Sequence, residues 1–122
     1  MTDRKSIVAR FFAAITSGDR AMVEAMVAED FTFTSPRDNA LDRAAWFRDC
    51  YAHTGAIEQV DLLLLAEDAD RVFVTYEAVA NGARFRNTEV FTVAGEMIHA
   101  VEVYFGWTLP HPAPSGGSVP PA

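Results

Sequence analysis

Glu89 is the residue in this chain whose surroundings least suit its type. Read as a strand, residues 83–93 put Phe85, Asn87, Glu89, Phe91 and Val93 on one face and Arg84, Arg86, Thr88, Val90 and Thr92 on the other. The first face is far more apolar, so it should look into the core. A carboxyl group carried inward is rarely buried without cause. Desolvation disfavours its charged form, so its proton is held or released near neutral pH. That is the property a general acid or base needs. Asn87 lies on the same face as an orienting amide. Tyr76, on the Val74–Tyr76–Ala78 face of the preceding strand, offers a hydroxyl to a ligand oxygen. The alternative reading makes Glu89 a structural group bonded to backbone or to Tyr76.

Other candidates are weaker in kind. Asp38 sits in the loop after the first strand, as a reserve base or as a turn and capping residue. A hairpin turning at Ala94-Gly95 sets Phe91 beside His99, Glu89 beside Val101 and Asn87 beside Val103. His99 then faces inward as a ligand contact or a satisfied core residue. Met97, Val101, Val103, Phe105 and Trp107 share its face. Phe11, Phe33, Trp46, Phe47 and Trp107 are core or pocket wall, Val103 and Phe105 further wall. Cys50 has no basic neighbour in the pattern and reads as packing. Asp49 and His53 form an i,i+4 pair on a solvated helix face. On the opposite sheet face, Arg86 and Glu102 form a surface pair.

These groups need a scaffold, and periodicity supplies one. Ile7, Val8, Phe11, Phe12 and Ile15 recur at helical spacing over 4–17, with Gly18 at the end. Asp19 caps a second helix with the stripe Met22, Val23, Met26 and Val27. Phe31–Thr34 alternates as a short strand. Residues 35–39 turn, and Asn39 with Asp42 predicts a third helix over about 41–53. Strands follow at 57–66, 71–80, 83–93 and 97–107, with Asn81-Gly82 as the strongest hairpin signal. Five of the six prolines lie beyond Trp107, which reads as a folded domain over 1–108 and a disordered tail over 109–122. The fold class is α+β: three N-terminal helices over the concave face of a curved, mainly antiparallel sheet, a conical barrel with an apolar interior.

Composition narrows the partners. The 122 residues carry a net charge of −7, which argues against nucleic acid and against anionic membrane surfaces. The longest apolar run is too short to span a bilayer. Arg10 interrupts the apolar stretch near the N-terminus, so no signal peptide is read and a cytoplasmic setting is expected. One cysteine and three scattered histidines give no disulfide, no metal site and no cofactor motif.

Residues 9–19 (ARFFAAITSGD), 28–32 (AEDFT), 93–98 (VAGEMI) and 102–106 (EVYFG) resemble SnoaL-like proteins of the nuclear-transport-factor-two-like superfamily, over about residues 4–107. The resemblance implies a cone around a small-molecule pocket, with isomerases, cyclases, hydrolases, dehydratases and binders among its relatives. Carried over from ketosteroid isomerase, the catalytic tyrosine position falls on Phe11, the base on Ser35 and the protonated acid on about Glu89. The acidic last-strand position of limonene epoxide hydrolase falls on Val103. Neither constellation is complete in this chain.

Two functional expectations result. One is a cofactor-independent acid/base enzyme of isomerase, cyclase, lyase or hydrolase type on a small apolar molecule. Glu89 would be its acid/base, and Tyr76 and Asn87 would hold an oxyanion. The other is a non-catalytic ligand-binding module, or an assembly domain forming a homodimer through an outer sheet face that carries Val90, Ile98, Ala100 and Tyr104.

Overall fold

The computed structural model describes residues 3–121; the ends of the two expected segments, residues 1–2 and 122, lie outside it. Helix α1 (Arg4–Ser17) starts where the Asp3 carboxylate accepts the Ser6 N–H at 2.8 Å. It ends at Gly18, whose φ of 72° is the left-handed conformation that favours glycine. Its buried stripe is Ile7, Val8, Phe11, Phe12 and Ala14. Asp19 caps α2 (Arg20–Met26) by accepting the Met22 N–H. Both helix starts follow the sequence pattern.

The chain then enters β1 (Val27–Ser35), longer than the alternating Phe31–Thr34 core suggests. The expected helix over 41–53 is corrected. Residues Asp38–Asp42 fold back on β1 as an edge strand, β2, with Ala40 at a φ of 50°. The Asp42 carboxylate accepts the Ala45 N–H at 2.9 Å, so helix α3 begins only at Arg43 and runs to Asp49. Residues Tyr51–Ala56 tighten into a 3₁₀ turn.

Four long strands complete the sheet: β3 (Ile57–Asp68), β4 (Arg71–Ala80), β5 (Ala83–Ala94) and β6 (Met97–Leu109). The order is β2-β1-β6-β5-β4-β3. All neighbours are antiparallel except β1 and β6, which run parallel. The architecture is therefore the expected α+β one, with an unclosed curved sheet. Helix α1 packs on β3, β4 and β5, while α3 packs on β1. Between them lies a core whose Val72, Val74, Phe91 and Ile98 are fully buried. Beyond Leu109 no helix or strand forms among the described residues. None of their helices is long and apolar enough to cross a membrane.

Strand β6 departs from simple alternation at two points. Val93 pairs with Ile98 but Thr92 with Ala100, so His99 is an extra residue. Asn87 pairs with Phe105 but Arg86 with Trp107, so Gly106 is another. Each β-bulge switches which side chains face inward. Three expectations are corrected by this. Ile98 is not on the outer face but wholly buried. His99 turns outward and meets Asp30, Nδ1 to Oδ1 at 2.7 Å. Trp107 shares the side of Arg86, whose guanidinium lies 5.7 Å from its ring centre. Register shifts too: Glu89 is opposite Val103, not Val101, and Phe91 is opposite Val101. Arg86 pairs with Glu77, while Glu102 accepts from the Tyr104 hydroxyl, so the expected Arg86–Glu102 pair is absent.

The second bulge requires glycine for steric reasons. A Cβ on residue 106 would stand 2.1 Å from the Arg86 carbonyl oxygen. Gly106→Ala should therefore cost at least about 2 kcal/mol. It should lower the urea midpoint, and an unchanged midpoint would refute the steric argument.

Candidate active site

The space between α1, α3 and the concave sheet is not filled. A cavity of about 240 Å³ remains. Phe11, Phe12 and Ile15 of α1 form its roof. Phe33, Trp46, Cys50 and Thr54 close one side, and Ile57, Val60 and Ala78 another. The floor is Tyr76 of β4, Phe85, Asn87 and Glu89 of β5, and Val101 and Val103 of β6. Most of this wall is hydrocarbon, and the Phe11 ring stacks against Trp46 at 6.2 Å between centres. A cavity of about 150 Å³ lined by aliphatic and aromatic groups takes benzene. This one therefore suits a compact ring with substituents.

The polar groups in this wall form one directed chain. The backbone N–H of Gly106 donates to Asn87 Oδ1 at 3.1 Å. That fixes the amide so that Asn87 Nδ2 donates to Tyr76 Oη at 3.3 Å. The Tyr76 hydroxyl donates in turn to Glu89 Oε2 at 2.5 Å. Among the described residues no donor meets Oε1, which retains accessible surface. Glu89 as a whole is half-buried, and the surface it retains is cavity wall.

Burial pushes the Glu89 carboxyl up to about 7, against the opposing pull of the Tyr76 hydrogen bond. The Tyr76 phenol is raised further beyond its ordinary range by burial, then by the charge and hydrogen bond of Glu89. The Cys50 thiol is also raised, by burial and then by Asp38 and Asp49. Neither is a neutral-pH nucleophile or base. The arrangement supplies one titrating carboxyl in an apolar hollow, with one oxygen anchored and the other free.

Of the residues singled out in the sequence, Glu89, Tyr76, Asn87, Phe11, Phe33, Trp46 and Val103 meet around this cavity. Asp38 does not line it: its carboxylate accepts the Ser35 hydroxyl at 2.8 Å in the β1–β2 turn. His99 lies outside with Asp30. Phe105 shares the inward side with Asn87 but stands beyond the cavity, 55% exposed. The wall also includes Phe12, Ile15, Thr54, Ile57, Val60, Ala78 and Phe85, which the sequence pattern does not mark as site residues. Most are ordinary core types with no signal separating wall from filling. Among the described residues no cluster of three or more His, Cys, Asp or Glu is placed to hold a metal ion.

Residues 8–101 match the SnoaL-like domain family. The chain belongs to that family. Its SnoaL-like fold recurs in solved structures at low identity. A nuclear-transport-factor-two-like protein of Cytophaga hutchinsonii is 17% identical with a TM-score of 0.76, over 87% of this chain and 92% of that one. A candidate polyketide cyclase of Sinorhizobium meliloti is 21% identical with a TM-score of 0.71, over 80% and 93%. A candidate ketosteroid isomerase of Kribbella flavida is 16% identical with a TM-score of 0.73, over 96% and 89%. At these identities the likeness is one of fold. No curated protein matches the chain. The positions carried over from ketosteroid isomerase hold a phenyl ring at Phe11 and a hydroxyl tied to Asp38 at Ser35, so only Glu89 presents an acid to the cavity.

Two measurements follow from the relay. In Tyr76→Phe the carboxylate loses its donor, so the Glu89 titration should move above about 7. A ¹³C-carboxyl NMR titration reads this, and a midpoint that stays or falls would contradict the hydrogen-bond account. The second concerns stability. The folded-state value lies above the ordinary 4.5, so the protonated form favours folding. This contribution is complete below pH 4.5 and declines as pH rises to about 7. At about 1.4 kcal/mol per unit, the loss is no more than about 3.5 kcal/mol. The stability difference between Glu89→Gln and the native protein, taken from urea unfolding, should grow in favour of the variant across that window. A pH-independent difference would mean the carboxyl is ordinary.

Proposed function

We propose that this SnoaL-like protein is an acid/base enzyme that moves a proton on a small apolar, oxygen-bearing molecule, with Glu89 taking and returning the proton. The observation that carries this reading is the geometry of one carboxyl. Its Oε2 is held by Tyr76 while Oε1 opens onto an apolar cavity. A group with its midpoint near 7 is present in useful amounts as both acid and base at neutral pH. In the basic form, Oε1 accepts a proton from a carbon beside a carbonyl. Tyr76, still donating to Oε2, stabilises the carboxylate throughout. Asn87 has a second Nδ2 hydrogen beyond the one aimed at Tyr76, and this is the donor we assign to the developing oxyanion. The protonated Glu89 then returns the proton to another position, as in isomerisation, or to a leaving oxygen, as in elimination. Asp38 has no part in this scheme.

A second reading, a ligand-binding module, draws on the direction of the Tyr76 hydroxyl: its proton goes to Glu89, not into the open cavity. The two readings separate in one assay. Deuterium exchange beside the carbonyl of small cyclic ketones in heavy water, followed by NMR, should be accelerated with a rate rising through about pH 7 to a plateau. Glu89→Gln keeps the shape and should slow it by about 10²–10⁴-fold. Ketone bound without exchange would favour the binding module.

A further inference from the structure

Phe85 and Asn87 belong to the cavity wall. Both residues also border an open groove completed by Phe105, Gly106, Trp107 and Thr108. The β5–β6 ladder places Phe85 opposite Thr108 and Asn87 opposite Phe105. The bulge at Gly106 leaves no side chain between them, because none fits there. Phe105 is 55% exposed and Trp107 45%. Both residues thus leave aromatic surface in water beside the cavity. The Trp107 ring is nonetheless held, with Arg86 5.7 Å and the His111 ring 5.6 Å from its centre. No charged side chain lines the groove, and none of residues 110–121 does. The occupant is thus uncharged, and it is not the described C-terminal segment. The shared wall residues Phe85 and Asn87 set the groove beside the cavity, and this adjacency points to the same molecule that reaches Glu89.

We propose that the groove is the second compartment of the ligand site, taking a flat, uncharged aryl or alkyl appendage on a molecule whose compact oxygen-bearing ring lies at Glu89. The proposal rests on the ligand cavity assigned above and adds the substrate's shape: two apolar parts joined past Asn87, larger than the cavity alone admits.

Cyclohexanone and 4-phenylcyclohexanone test it on the full chain by titration calorimetry. The phenyl ketone should bind about tenfold tighter or more. In Phe105→Ala that advantage should largely vanish while cyclohexanone affinity stays within about twofold. The two tryptophans, one in each compartment, give an independent readout. In Trp46→Phe, where Trp107 is the remaining indole, emission should respond to 4-phenylcyclohexanone and not to cyclohexanone. Equal affinities for the two ketones in the native protein, or equal weakening of both by Phe105→Ala, would overturn the groove alone. If neither ketone binds, the cavity reading fails and the groove with it. A native dimer that Phe105→Ala dissociates, seen by light scattering, would assign the groove to a second copy instead and overturn the proposal.

Discussion

The site depends on keeping one carboxyl group out of water without leaving it unpartnered. Burial alone would drive Glu89 to full neutrality and make it a passive acid. Full hydrogen bonding would make it an ordinary carboxylate. The fold does neither. It gives one oxygen a single phenolic donor and leaves the other facing hydrocarbon, and the balance places the midpoint at about 7. The donor is itself oriented from behind by Asn87, and Asn87 by the backbone of β6. Three neighbouring strands therefore cooperate in orienting the donor to one carboxyl.

That cooperation explains why the sheet is built as it is. Tyr76 and Asn87 are directly opposed across β4 and β5, and Glu89 lies diagonally next to Tyr76. Side chains on one face of adjacent strands meet at this spacing. The third link, Gly106, falls at a β-bulge, where the strand bends and its ladder opens. The same bulge frees a backbone N–H for Asn87 and opens the groove beside Phe105. Helices α1 and α3 supply aromatic cover, and the ring cluster of Phe11, Phe12 and Phe91 backs the roof of the cavity.

Strands β4 and β5 were readable because they alternate without interruption. Val72, Val74, Tyr76 and Ala78 are buried as their pattern demands, and Glu89 projects inward as strand parity requires. Strand β6 misled because the residues that break its alternation, His99 and Gly106, are locally unremarkable. A bulge is decided by the bend that the whole sheet must make. Hence Ile98, His99 and Trp107 changed sides, while Val103 lies between the bulges and kept its place. Residues 38–42 misled for another reason. A five-residue edge strand has no period long enough to recognise, and its partner β1 is what makes it a strand. Asp42 marked a true helix start, but a later one than the apolar stripe implied. Nothing in the sequence separates the rings that line the hollow from those that fill the core, because both are aromatic and both are inside.

The origin of the relay in a main-chain amide has an evolutionary consequence. Gly106 has no side chain to exchange, so its contribution to Glu89 cannot be removed by a side-chain deletion; it changes only if the strand end itself moves. Insertions or deletions near residues 105–109 would then re-aim the Tyr76 donor from behind without altering any side chain of the cavity around Glu89. Acid strength and cavity shape become separately adjustable traits, which suits a scaffold whose relatives bear names from such different chemistries.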